Sequence, residues 1–199
     1  KCVVGNQQPL DEKRVEEPPV LPNLDSTESI LRCFYDTLTF HFDDVDKTVK
    51  DSCSVDLDVD LRTSPSDALN EFLRSYLATK DVFAADDTVI IRQGKKITKK
   101  VLRLSKIHGL RLLPVTSSAM IGSVVARDVI DPDTGEVLIE CNEEITQDSL
   151  QKIYDTAVTQ IEVLLIDKSV GGDALSNTFV KDTVQTMTDA LLEIAAVLV

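Results

Sequence analysis

Val89-Ile90-Ile91-Arg92-Gln93-Gly94-Lys95-Lys96-Ile97-Thr98 returns 48 residues later as Val137-Leu138-Ile139-Glu140-Cys141-Asn142-Glu143-Glu144-Ile145-Thr146. Both versions run from an apolar triplet through a polar turn to an Ile-Thr pair, and Gly94 corresponds to Asn142. Glycine and asparagine most readily adopt positive φ, so the chain is expected to turn at the same point in each copy. Thr98 and Thr146 then stand as helix N-caps, each preceded by an isoleucine able to staple against Leu102 or Leu150. Leu113 and Val115 close the first copy as a strand, and Ile161 and Val163 occupy the same places in the second. A unit of strand, turn, capped helix and strand is too small to bury its own apolar face. Two copies packing together around a shared interior therefore make physical sense.

Between these copies, Gly122-Ser123-Val124-Val125-Ala126-Arg127-Asp128-Val129-Ile130 reads as a strand. Asp131-Pro132-Asp133-Thr134-Gly135 turns it back into Val137-Leu138-Ile139, giving a hairpin with a loop of more than two residues.

Upstream, Asp25-Ser26-Thr27-Glu28 has the form of a capping box with Asp25 as the cap, and Ile30, Leu31, Phe34, Tyr35 and Leu38 follow at helical spacing. Phe40, Phe42 and Val45, and then Val55, Leu57, Val59 and Leu61, alternate with polar residues as strands do. Their acidic row, Asp56, Asp58 and Asp60, reads as a solvated strand face, since a calcium loop would need a glycine turn and a distal glutamate. Ser64-Pro65 starts a second helix whose stripe is Leu69, Phe72, Leu73, Tyr76 and Leu77, fading near Thr79 and Lys80. Residues 1–24 hold Pro9, Pro18, Pro19 and Pro22 among charges and read as an irregular tether. Val184, Met187, Leu191, Ile194 and Leu198 form a final helical stripe that reaches Val199 with no stop signal. This suggests a piece cut from a longer polypeptide, or an amphipathic helix for a partner.

The 43% hydrophobic content supports a folded chain. A formal charge of -13, from 34 acidic and 21 basic residues, argues against wrapping phosphate backbone over a wide surface. The acid serves solubility; an acidic surface mimicking DNA is the sharper alternative. Cys2, Cys33, Cys53 and Cys141 are scattered without zinc or disulfide spacing, which fits a reducing cytosol. No apolar run is long enough for a bilayer, so no membrane association is expected. His41 and His108 lack a nucleophile or paired carboxylate at a recognisable spacing and read as structural. No catalytic, cofactor-binding or metal-binding residue is expected.

Lys95, Lys96, Lys99, Lys100, Arg103 and Lys106 are the one concentrated basic patch, on the first copy. The second copy replaces several of them with Glu143, Glu144, Gln147 and Asp148. The patch reads either as a solvated face whose charges pair with the opposite ones of the other copy, or as a docking site for downstream DNA or an acidic regulator.

The stretch from Ile121 through Glu144-Ile145-Thr146 to Ile161-Glu162-Val163-Leu164 resembles the repeat module inserted in the lobe of bacterial RNA polymerase beta subunits. Glu28-Ser29-Ile30-Leu31-Arg32-Cys33-Phe34-Tyr35 resembles the lobe segment before that insertion. Gly171 to Thr183, with Asp189-Ala190-Leu191-Leu192-Glu193-Ile194, resembles the return into the lobe. Val20-Leu21-Pro22 survives from the family's preceding strand, but its basic run is reduced to Lys13-Arg14. The resemblance implies an α+β fold, with helical lobe segments flanking a β-rich module of two strand-turn-helix-strand repeats. It divides the chain into an irregular segment (1–24), lobe-like helices and strands (25–84), the inserted module (85–168) and a return to the lobe (169–199). It implies a non-catalytic part of a cytoplasmic nucleotidyltransferase active in transcription. The partners would be the other polymerase subunits, protein regulators and, through the assembled enzyme, downstream DNA. The family's catalytic aspartates and basic residues lie in regions with no counterpart here. The alternative is a free-standing acidic protein-binding module derived from the same repeat; reading the gene beyond the Val199 codon separates the two.

Overall fold

The computed structural model describes residues 26–42, 51–58, 68–167 and 171–182. In chain order the elements are α1 (Thr27–Phe34), β1 (Thr37–His41), β2 (Cys53–Asp56), α2 (Ala68–Leu73), β3 (Val82–Phe83), β4 (Val89–Ile91), α3 (Lys99–Ile107), β5 (Leu112–Val115), a 3-10 turn (Ser118–Met120), β6 (Val129–Ile130), β7 (Val137–Ile139), α4 (Gln147–Asp155), β8 (Gln160–Leu164) and α5 (Ala174–Lys181). The fold class is α+β, as expected.

The two copies have matching shapes, and the match begins further upstream than Val89. Val82 and Phe83 pair with Ile91 and Val89 in the first copy, as Val129 and Ile130 pair with Ile139 and Val137 in the second. Gly94 and Asn142 both have positive φ, at 71° and 70°. Their N–H groups donate to Ala78 O at 2.8 Å and Val125 O at 3.0 Å. The same correspondence holds for Ile97 N–H on Tyr76 O and Ile145 N–H on Ser123 O. The segment from Ser123 to Ile130 thus belongs to the second copy, with Tyr76 to Phe83 as its counterpart, and it is not the single strand expected from Gly122 to Ile130: Val124 and Val125 make isolated bridges, and β6 covers only Val129 and Ile130. One extra residue in the Asp131–Glu136 turn shifts the offset from 47 to 48 and conceals the upstream half.

That counterpart corrects the expected second helix. α2 ends at Leu73, so Tyr76 and Leu77 leave the helix and Leu77 bridges Lys96. Tyr76 stacks between Phe40 and Phe72, at 5.6 and 5.7 Å between ring centroids. The first helix is likewise shorter than its apolar spacing suggested. α1 stops at Phe34, which is 60% exposed, and Leu38 is a buried residue of β1. Its cap is Ser26, in a reciprocal capping box with Ser29, rather than Asp25 with Glu28. Asp25, Val45, Val59 to Leu61, Ser64-Pro65 and the final stripe from Val184 to Leu198 lie outside the described residues.

The copies do not lie directly side by side. The four-stranded antiparallel sheet runs β5-β2-β1-β8, so the closing strand of each copy takes one edge and the β1/β2 pair separates them. One row across this sheet is Leu113, Val55, Phe40, Ile161, all at most 1% exposed. Leu113 and Ile161 are equivalent positions, so Val55 and Phe40, directly opposite each other, become equivalent too. A local two-fold relation therefore passes between them. Leu57 N–H donating to Arg111 O, and Phe42 N–H donating to Thr159 O, both at 2.7 Å, obey the same relation. The interior is nonetheless shared, because Ile97, Val101 and Leu113 belong to one apolar cluster with Ile145, Leu150, Ile153 and Ile161. Complete burial of aliphatic side chains of this size contributes about 1.5–3 kcal/mol each.

A direct contact between the copies comes from Tyr154 of α4. Its hydroxyl oxygen lies 2.5 Å from Ser117 Oγ, just beyond β5, and 3.1 Å from Ser52 O, and it accepts from Ser52 N–H at 3.2 Å. Ser117 in turn donates to Asp51, so a polar chain links both repeats to the central strands. A second, smaller cluster gathers Leu31, Tyr35, Val124, Ala126 and Leu164 beneath α1 and α5. α5 is fixed to the second copy by Asn142, whose Nδ2 donates to Ser176 O while its Oδ1 accepts from Ser176 Oγ.

Candidate docking surface

The expected basic patch divides on the structure. Lys99, Arg103 and Lys106 fall at helical spacings of four and three, so they share one face of α3 and line a groove of about 640 Å³. Leu57, Leu69, Leu102 and Leu110 supply its apolar lining. Lys95 and Lys96 sit instead in extended chain after the turn at Gln93 and Gly94, with Lys95 O accepting from Ala78 N–H and Lys96 bridging Leu77, and Lys100 is on α3 outside the groove lining. All six basic residues are exposed.

Arg111 joins the groove from the first turn of chain before β5, a residue the sequence reading did not single out. Its guanidinium makes two hydrogen bonds to Asp56, Nε at 3.1 Å and Nη2 at 3.0 Å, while 68% of its side-chain surface stays exposed. The Asp56 hydrogen bonds, and then its charge, raise the guanidinium pKa further above its already high value. This pairing corrects the reading of Asp56 as part of a solvated row, because Asp56 is only 8% exposed. Asp58 is exposed, and its N–H donates to Asp56 Oδ1. Arg111 was hard to find because it lies outside the contiguous basic run. Its only signal was an acidic residue in an alternating strand.

The helix bearing the patch is imperfectly started. Thr98 holds the N-cap position of α3 but makes no side-chain cap hydrogen bond, whereas Thr146 forms a reciprocal capping box with Ser149. Val101 stands where the second copy has Ser149. The first turn of α3 has no acidic residue and carries Lys99 and Lys100, against the sign the helix dipole favours; α4 has Asp148 there.

The second copy's face is acidic, as expected. Glu143, Glu144 and Asp148 line a separate groove with Asp173 and Asn177 around α5. Glu162 accepts from Arg32 at 2.5 Å and pairs with Arg127 at 3.3 Å, and Arg32 also meets Glu28. This network ties α1 to β8.

His41 ends β1 with Nε2 3.9 Å from Asp56, and His108 caps the C-terminus of α3 with Nδ1 3.9 Å from Asp86. Cys33, Cys53 and Cys141 are free thiols. Burial, followed by the charge of Asp51, pushes the Cys53 thiol up; partial burial, with Asp128 next, pushes Cys141 up to about 11. Among the described residues no group of three or more His, Cys, Asp or Glu could hold a metal ion, and no helix is long and apolar enough to cross a membrane.

No protein-family model matches the chain. It is similar to the DNA-directed RNA polymerase subunit beta of Sorangium cellulosum, 34% identical over 169 residues, which is 85% of this chain and 11% of that protein. It is also similar to the DNA-directed RNA polymerase subunit beta of Syntrophotalea carbinolica, 32% identical over 124 residues, 62% of this chain and 9% of that protein. The chain thus spans about a tenth of the length of the relatives it matches.

Proposed function

Because this chain is homologous to a region of the bacterial DNA-directed RNA polymerase beta subunit, we propose that it forms a non-catalytic, structural part of that subunit in transcription. In this reading it contributes the lobe that covers downstream DNA, joins the other polymerase subunits, and presents a surface to protein regulators. The carrying observation is the similarity over 169 residues, which takes in both copies of the duplicated unit rather than one short motif. The regulator surface is the basic one formed by Lys95, Lys96, Lys99, Lys100 and Arg103, whose charge stands out in a chain of net charge -13.

The test is co-expression of the tagged chain with the remaining polymerase subunits and the rest of beta. Retention of the chain with the assembled enzyme through a salt wash supports the reading, and its clean separation overturns it. Charge reversal at Lys99 and Lys100 then asks whether the basic face is used. Unchanged binding of polymerase partners and regulators would remove the docking role while leaving assembly intact.

A further inference from the structure

The duplicated unit contains its own comparison. In the second copy, Tyr154 of α4 meets Phe42 edge to face, with ring centroids 5.7 Å apart and an interplanar angle of 86°. The equivalent residues in the first copy are Lys106 of α3 and Leu57, and both line the open groove of about 640 Å³. The same architectural position is therefore filled by an aromatic pair in one copy and left as a basic, apolar-floored groove in the other.

Two further features set the first groove apart. Among the described residues, Arg103 and Lys106 form no ion pair. Arg111 is held at the rim by its two bonds to the largely buried Asp56, which fixes a cation in place while leaving it exposed. The two first-turn lysines of α3 also disfavour the helix they start, a local cost that a binding face explains.

We propose that this groove binds an extended segment of a partner protein in which apolar side chains alternate with carboxylates. The apolar side chains would cover Leu57, Leu69, Leu102 and Leu110, and the carboxylates would meet Arg103, Lys106 and Arg111. Lys99, Arg103, Lys106 and Arg111 outweigh the one carboxylate of the lining, Asp58, so charge complementarity selects an acidic segment, and the recessed leucines select one that carries apolar side chains. A DNA duplex satisfies only the rim: its phosphates cannot cover the leucine floor, and it meets the repulsion of a chain with charge -13. This deepens the regulator-contact reading above by naming the chemistry of the regulator.

The test uses the full chain and three fluorescein-labelled probes at physiological salt: a short peptide alternating leucine with glutamate, a glutamate-only peptide of equal length, and a DNA duplex. Fluorescence anisotropy should show the leucine-glutamate peptide binding at least about tenfold more tightly than the other two. Arg103→Glu with Lys106→Glu should weaken it by about tenfold or more. Lys106→Tyr with Leu57→Phe, which copies the second repeat's aromatic pair into the first, should abolish binding while circular dichroism and the thermal midpoint show the fold retained. Equal binding of the glutamate-only peptide, preference for the duplex, or indifference to both double variants would each overturn the proposal. Assembly with the other polymerase subunits, measured separately, reports on the underlying reading, so failure of one is distinguishable from failure of the other.

Discussion

Asp128 accepts a hydrogen bond from the backbone N–H of Cys141 at 2.7 Å, and one repeat earlier Asp81 accepts from Gln93 N–H at 2.6 Å. Each carboxylate precedes the first strand of its hairpin and fastens the turn that follows the second, beside the positive-φ residue. Asp81→Ala and Asp128→Ala should each cost about 1–2 kcal/mol, the net worth of an exposed charge-assisted bond. Urea denaturation checks this. Losses that differ by much more than about 0.5 kcal/mol would show that the repeats do not use the contact alike.

Tyr154→Phe keeps the edge-to-face contact with Phe42 but removes the hydroxyl that bonds Ser52 and Ser117. It should destabilise the chain by about 1–2 kcal/mol, and Ser117→Ala should cost a similar amount. The double variant should lose less than the sum, because the two hydroxyls share one chain of hydrogen bonds. A coupling of at least about 0.5 kcal/mol is expected in a double-mutant cycle.

Lys100→Glu replaces a cation in the first turn of α3, at a helix end that has no acidic residue of its own. The change should raise stability by about 0.3–1 kcal/mol at low salt, seen as a thermal midpoint higher by about 1–3 °C. The gain should shrink as salt is added.

Burial raises the acid groups Cys53, Tyr76 and Cys141 above their ordinary values. A raised folded-state pKa on an acid group means that the folded chain holds the proton more tightly than the unfolded one. The stability this supplies is complete below the unfolded value, 9.0 for a thiol, and for Cys141 is lost as pH rises through about 11. The thermal midpoint should be flat between pH 7 and 8 and fall above pH 9. At pH 8, alkylation of Cys141 in the folded chain should run on the order of a hundredfold slower than that of an unperturbed cysteine, because a thiol that ionises only near about 11 holds about a hundredfold less thiolate there than one at 9.0. Ordinary labelling rates at that pH would contradict this.

The repeat was legible because its polar turn must place a residue at positive φ, which leaves Gly94 and Asn142 as a visible pair even where Lys95 and Glu143 carry opposite charges. Its upstream half was not. Leu73, Tyr76 and Leu77 are spaced as on one helix face, and so are Leu31, Phe34, Tyr35 and Leu38, yet each run crosses from helix to extended chain partway. Apolar residues three and four apart report a helix only while the backbone stays helical, and the pairing partners that pull Leu77 and Leu38 into extended chain lie far away in sequence. The interposed β1/β2 pair was unreadable for the same reason, since strand order depends on contacts that no local pattern encodes. Three members of the docking groove were visible as a basic run. Arg111 was hidden because strand pairing, not spacing, sets it beside Asp56.

The placement of β1 at the middle of the sheet has a consequence during synthesis. Arg32 and Glu162, which hold the far edge together, are 130 residues apart, and β1 has no second neighbour until β8 has left the ribosome. A nascent chain carrying only the first repeat exposes an unpaired strand edge and the apolar residues Leu38 and Phe40 to neighbouring polypeptides. Stopping translation between the two repeats should therefore yield an aggregation-prone product that depends on chaperones, whereas extension past β8 lets the same strands close within one molecule.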